Sequence, residues 1–328
     1  MSSIRSLVPK VPALSAWSKK FRNKGAARTP RCTLADQVAA DTGFEKLRQH
    51  TRWSDAAMDN MTVVEINPGL GVWTSALFNG GFNKIYSLEP NVNYLHEIQA
   101  LADESDGSII PLKKDGYDWK TYVELKDNTY LGKYINPDWS KVHPNILFTG
   151  TLPKSAKGEQ LLAQFATCIV NKMALHSIGR IQMALWIPDQ LYQKFTAAAG
   201  SKERCKMGVV SEACADINLI YSPSPESVYL NNSYHLVHIV PNNKANIKAE
   251  WDVFEYVLKH IFVMQKQPLN KMVRTLGPGA DIILGRLSFD SNILVGNMSA
   301  SQIDEVAIKF DQWPLRPKVL FEDSQTAI

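Results

Sequence analysis

The first 35 residues contain neither aspartate nor glutamate; the chain's first acidic residue is Asp36. Over the same stretch lie Arg5, Lys10, Lys19, Lys20, Arg22, Lys24, Arg28 and Arg31, among several Ser and Ala. An acid-free, Arg/Lys-rich start has the composition of a mitochondrial transit peptide. Residues 1–31 are therefore expected to be such a peptide, without structure before import; a basic arm touching nucleic acid is the alternative. No apolar core of ~7–15 residues interrupts the stretch, which argues against a secretory signal. Nor does any apolar run approach the ~20 residues of a membrane span, so no membrane partner is expected. Cys32, Cys168, Cys205 and Cys214 show no C-x-x-C pairing and the seven histidines are scattered. Neither a disulfide framework nor a zinc site is indicated, and no metal is expected. Internal repeats and low-complexity tracts are missing too.

What is present is ordinary globular material: 45% hydrophobic and 21% charged residues. A chain of 328 residues suggests one large domain and a smaller one, because single cores rarely grow past ~250–300 residues. The net charge of +4 resides in the N-terminus. With its eight cations set aside, 28 basic residues face 32 acidic ones. A nucleic-acid surface on the rest of the chain must then be a local patch.

Short apolar runs alternate with helical stretches. Strands are expected over 62–67, 84–89, 109–114, 145–149 and 180–188, with 219–222 and 234–241 as a closing antiparallel pair. Helices are expected over 71–79, 92–103 and 158–176, the last from Leu161, Phe165, Ile169 and Met173 spaced by four. Residues 32–60 read as helical and irregular. This alternation implies an α/β fold with a mainly parallel sheet covered by helices on both faces. Residues 116–142 are poorly periodic and read as a long surface insertion. From about Lys248 the pattern is all-helical, with Trp251, Phe254, Val257, Leu258, Ile261 and Phe262 as an apolar stripe. The expected division is 1–31, an α/β domain over 32–245, and a small helical domain with a tail over 246–328.

Three strand ends carry candidate chemistry. After the first strand comes Glu65-Ile66-Asn67-Pro68-Gly69-Leu70-Gly71. Its glycines permit a tight turn and close approach of a ligand, and the next helix presents free N–H groups. Glu65 can accept from the turn backbone or from a cofactor amine. The second strand ends at Glu89, 18 residues past Gly71, near where nucleotide-binding α/β folds place the acid that grips a ribose diol. Either feature alone is common in proteins that bind no nucleotide; their combination is much less so. The third strand delivers Asp115, and Asp118 beside it could simply cap a helix.

Together with Lys114-Asp115-Gly116-Tyr117-Asp118-Trp119 and Gly179-Arg180-Ile181-Gln182-Met183-Ala184-Leu185-Trp186-Ile187-Pro188, these motifs resemble the ribosomal RNA adenine dimethyltransferase family. More narrowly, the chain resembles that family's fungal mitochondrial transcription factor B branch. Pro268-Leu269-Asn270, Leu276-Gly277-Pro278-Gly279 and Trp313-Pro314-Leu315-Arg316-Pro317 carry the narrower likeness. The resemblance covers roughly residues 32–320. It implies a class I, Rossmann-like fold of S-adenosylmethionine (SAM)-dependent methyltransferases with a small C-terminal helical domain. By the same resemblance, Leu34, Glu65, Gly69, Gly71, Glu89, Asp115 and Thr151 would line the SAM pocket, Asp115 facing the adenine amino group.

The chain departs from the family where the chemistry should be. Active members carry Asn-Leu-Pro-Tyr or a close variant after the fourth strand, holding and stacking a flipped adenine. Here the stretch is Gly150-Thr151-Leu152-Pro153-Lys154. Threonine lacks the amide's reach and lysine cannot stack as an aromatic does. A lost stacking platform forfeits ~1–3 kcal/mol per base, and the lysine charge disfavours a nearby sulfonium. The family's early glutamine-asparagine motif is likewise replaced, by Thr33-Leu34-Ala35-Asp36-Gln37. No catalytic residue is therefore assigned, and SAM is expected to be vestigial.

The resemblance implies a monomeric initiation factor of the mitochondrial matrix. It would work with the single-subunit mitochondrial RNA polymerase in recognising and melting promoter DNA. The rival is an active small-subunit rRNA adenine N(6)-dimethyltransferase; a non-catalytic rRNA-binding assembly factor is a third reading. For nucleic acid the candidates are Lys154, Lys157, Lys172, Arg180, Lys202, Arg204 and Lys266, with His176 nearby. Tyr117, Trp119, Tyr122 and Trp139 are candidates for stacking on bases or packing on the polymerase.

Overall fold

The computed structural model describes residues 6–22, 30–318 and 320. Arg5, Lys24 and Arg28 of the basic stretch, and the tail from 321, lie outside the described residues. The strands are β1 (Thr62–Ile66), β2 (Ile85–Leu88), β3 (Ile109–Leu112), β4 (Ile146–Thr151), β5 (Gln182–Pro188), β6 (Ala215–Tyr221) and β7 (Tyr234–Pro241). They form one sheet in the order β3-β2-β1-β4-β5-β7-β6. Strands β1 to β5 pair in parallel, and β7 runs antiparallel to β5. β1, β4 and β5 are buried throughout their length, as a sheet covered on both faces requires.

The helices are α1 (Leu14–Arg22), α2 (Gln37–Thr51), α3 (Asp55–Asp59), α4 (Val72–Asn79), α5 (Val92–Asp103) and α6 (Trp119–Leu125). They continue as α7 (Ala156–Asn171), α8 (Asp189–Phe195), α9 (Lys206–Cys214), α10 (Trp251–Ile261), α11 (Leu269–Met272) and α12 (Ala300–Asp311). Local chemistry marks their starts. Asp36, Asn91 and Asp118 each accept from a backbone N–H of the first turn, and Ser299 forms a capping box with Gln302.

The structure corrects four expectations. The basic N-terminus is not devoid of structure: α1 buries Trp17 and Phe21 in the core of the sheet domain, with Leu7 beside them. The helix expected over 158–176 stops at Asn171, because Lys172 (φ 51°) and Ala174 (φ 50°) turn left-handed. Met173, the fourth member of its stripe, is consequently 44% exposed. The 116–142 segment is not all surface: Asp118 caps α6, and Tyr122, Leu125, Leu131 and Trp139 are buried.

The fourth correction concerns the chain's division. It folds as two compact units, one comprising Met1–Cys168, Lys172–Tyr192 and Asp216–Asn243, the other Ile169–Asn171, Gln193–Ala215 and Lys244–Ile328. The second unit thus draws a segment from well before residue 245. Arg204 explains this pairing. Its guanidinium donates to the carbonyls of Ala197 (2.7 Å), Gly208 (3.2 Å) and Met298 (3.3 Å) and to Glu212 (2.5 Å). Glu212 in turn accepts from Ala300 N (3.1 Å) at the start of α12, where helix polarity favours an anion. The second unit's core is formed by α10 and α12, with Phe254, Val257, Ile261, Ile303, Val306 and Phe310 buried.

Candidate functional site

The carboxyl ends of β1, β2 and β4 meet where a ligand would sit in a parallel α/β sheet. Gly69 (φ 63°) and Gly71 (φ 77°) adopt left-handed conformations in the turn after β1. Both glycines are required by the chain's own packing. A Cβ on Gly69 would lie 1.8 Å from Thr33 Oγ1, and one on Gly71 would lie 2.2 Å from Leu101 Cδ1. The space read as room for a ligand is filled, at these two positions, by a threonine and by α5.

Glu65 is fully buried in β1 and bonds side chains of α4 and β2. Its Oε2 accepts from Thr74 Oγ1 (2.7 Å) and Ser87 Oγ (3.1 Å), and Oε1 has no hydrogen-bond partner among the described residues. Burial raises its pKa to about 7, against the opposing effect of the two hydroxyls. Glu89 is fully buried at the end of β2. Its Oε1 accepts from Arg31 Nη1 (3.2 Å) and Asn91 N (3.0 Å). Its Oε2 accepts from Arg31 Nη2 and, at 3.4 Å, from Gly69 N. Asp115 is occupied as well, accepting from Tyr117 N (2.9 Å) and pairing with Lys157 Nζ at 2.8 Å.

Arg31 was grouped by composition with the transit peptide, and its place here was not legible from spacing. Its guanidinium lies 4.5 Å from the centre of the Tyr94 ring, and its backbone N–H donates to Tyr94 Oη (3.0 Å). Burial disfavours the Arg31 charge, yet the attraction of Glu89 prevails and the pKa is raised. The next three residues continue along the site. Cys32 Sγ accepts from Asn232 Nδ2 (3.3 Å), Thr33 packs on Gly69, and Leu34 is buried and bridges Val228.

Thr151 closes β4 and is buried; its carbonyl accepts from Asn67 Nδ2 at 3.2 Å. Leu152 O accepts from Tyr234 Oη (2.9 Å), and Pro153 O from Ser155 N (2.9 Å). The carbonyls at this strand end are thus engaged internally. Lys154 is exposed and donates to Asn232 Oδ1 at 2.5 Å.

Other expected contacts divide sharply. Lys154, Lys157 and Lys172 of the first unit are exposed, as are Lys202 and Lys266 of the second. Arg204 is 1% exposed and serves the interior of its unit. Arg180 ties the insertion and β7 together, donating to Ser140 O (3.3 Å) and Pro241 O (2.6 Å). His176 is buried, which pushes its pKa down to about 3. Of the four aromatics, Tyr122 and Trp139 are buried and Tyr117 lies under Lys157; Trp119 is 48% exposed. Among the described residues no group of three His, Cys, Asp or Glu is placed to hold a metal ion, and no helix is long and apolar enough to cross a membrane.

A mainly parallel sheet in this order, with one reversed strand near its edge and three glycine- or acid-bearing strand ends in one cleft, defines the class I methyltransferase fold. The sequence profile of the ribosomal RNA adenine dimethylase family matches residues 34–312, and the chain belongs to that family. It is 25% identical over 289 residues to Mitochondrial transcription factor 1 of Saccharomyces cerevisiae, covering 80% of this chain and 84% of the relative. It is 22% identical over 291 residues to mitochondrial dimethyladenosine transferase 1 of Bos taurus, covering 85% and 80%. A solved dimethyladenosine transferase from Plasmodium falciparum superposes with a TM-score of 0.59 at 11% identity, covering 85% of this chain and 98% of that one. A 23S rRNA methyltransferase gives 0.53 at 12%, covering 85% and 100%. These structural likenesses are ones of fold.

The family's cofactor can be tested against the residues present. An ionised carboxylate offers about four acceptor sites, and Glu89 has four donors on it, leaving none for a ribose diol. Asp115 is paired with Lys157. Glu65 Oε1 and Thr33 Oγ1 lack hydrogen-bond partners among the described residues, but with Glu89 and Asp115 engaged the nucleoside half does not fit SAM in this conformation.

Proposed function

We propose that this chain is a mitochondrial transcription initiation factor that works with the single-subunit mitochondrial RNA polymerase in promoter recognition and melting. Its methyltransferase fold would serve as a scaffold, with catalysis lost and SAM vestigial. The observation that carries the reading is the state of the 150–154 stretch. Thr151 is locked into β4, its neighbours' carbonyls are used internally, and a lysine stands where an adenine-stacking ring would be needed. Similarity to the yeast transcription factor over most of both chains supports it. The same relatives support a mitochondrial location, with the matrix as the compartment. The acid-free N-terminus would serve as an import signal that stays on the mature chain, since Trp17, Phe21 and Arg31 are built into the sheet unit. Promoter DNA would meet the exposed Lys154, Lys157 and Lys172 and, on the other unit, Lys202 and Lys266.

The second reading is a mitochondrial small-subunit rRNA adenine dimethyltransferase, favoured by the relative from Bos taurus. A run-off transcription reaction with the polymerase, with and without the chain, tests the first reading; promoter-dependent product should require it. A methyl-transfer assay on a small-subunit helix-loop RNA tests the second. Robust dimethyladenine without transcriptional stimulation would reverse the assignment.

A further inference from the structure

The N-terminal segment reaches the cleft through a series of specific contacts. The backbone N–H of Leu7 donates to Asn79 Oδ1 (2.8 Å), and Asn79 Nδ2 returns a bond to Leu7 O (2.9 Å). Trp17 and Phe21 pack on Tyr94 with ring centres 5.3 and 5.5 Å away. Lys20 pairs with Glu97 on α5 at 2.8 Å. Past these anchors, Arg31 places its fork on Glu89 with its flat face over the same Tyr94 ring. A guanidinium matches a carboxylate with two parallel N–H donors, much as the two hydroxyls of a ribose diol would.

We propose that Arg31 is the resident ligand of the nucleoside subsite: the chain's own arm occupies the ribose carboxylate and excludes adenosine-bearing donors. Arm and nucleoside compete for one acceptor, Glu89, so they bind in mutual exclusion. Lys157 reinforces the block by holding Asp115, the second carboxylate of that subsite. The competition is set by effective concentration: an arm anchored at Leu7, Trp17 and Phe21 presents Arg31 to Glu89 without a bimolecular search. This inference rests on the family's cofactor cleft and not on the transcription role, which the run-off reaction tests separately.

The test is titration calorimetry of the full chain with SAM. The unmutated protein should show no measurable heat, or affinity at least tenfold weaker than Arg31→Ala. Arg31→Gln, which is neutral yet can donate to Glu89, guards against poor folding of the alanine variant and should also bind more tightly than the unmutated chain. Adding Glu89→Gln to Arg31→Ala should abolish the gain. In the unmutated chain, any SAM that does bind should accelerate amide exchange in residues 31–34 as the arm is displaced. Variants that bind no better than the unmutated chain would overturn the proposal. So would tight binding to the unmutated chain with those amides still protected.

Discussion

Glu65 shows how a single buried carboxyl couples a site to pH. Its folded pKa is about 7 because burial in β1 outweighs the hydroxyls of Thr74 and Ser87; unfolded, it titrates near the ordinary glutamate value. The folded chain therefore holds this proton at pH values where the unfolded chain has released it. Its contribution to stability is complete below about 4.5 and falls as pH rises through about 7. Glu65→Gln removes that dependence, and the change in unfolding free energy across this window, read from urea titrations, should shrink by about 3 kcal/mol. At the mouth of the cleft, Lys154→Glu combined with Lys157→Glu should reduce initiation on duplex promoters more than on pre-melted ones, read by run-off yield. Equal loss on both templates would assign these lysines to something other than melting. The acids of the site were legible at residue level because acid type and spacing to the glycine turn are local properties. Their partners were not. Arg31 meets Glu89 across 58 residues, and composition grouped it with the charges around it. Arg204 shows the reverse problem: among Lys202, Glu203 and Lys206 it reads as a surface cation, yet four acceptors draw it inside.

At the level of elements, each of the seven strands overlaps an expected run. The buried β1, β4 and β5 do so because they are short apolar runs. By contrast, β6 begins at Ala215, four residues before its expected start, because its residues are only partly buried. Ends were harder to read. The last turn expected of α7 is lost to two left-handed residues whose conformation has no glycine to announce it. The helix α6 was hidden by its length, since seven residues are too few to show a period. Segment 193–215 was assigned to the sheet domain by sequence proximity alone. Its membership in the second unit depends on Arg204 and Glu212 at the start of α12. Arg204→Met should therefore strip donors from three buried carbonyls and leave Glu212 with the Ala300 N–H and solvent. Urea denaturation should show a loss of about 1–3 kcal/mol from the unsatisfied carbonyls, while the conservative Arg204→Lys recovers only part of it because lysine lacks the planar fork.

On the scale of the whole molecule, fold and family were readable because glycine turn, acids and strand rhythm all agree. The state of the cleft was readable only in part: Thr151 and Lys154 mark where the family pattern is broken, whereas the hold of Arg31 on Glu89 depends on contact between distant segments. A scaffold that does no methyl transfer should also act without the donor. Run-off transcription is expected to give the same yield with and without added SAM, and a yield that rises with SAM would contradict the scaffold reading. The four donors gathered on Glu89 have a broader consequence. An enzyme whose buried acid is satisfied only by its metabolite grows firmer when that metabolite is plentiful and slackens when it is scarce. Here Arg31, Gly69 and Asn91 of the same polypeptide supply the donors, so in this conformation the burial of Glu89 calls for no bound small molecule.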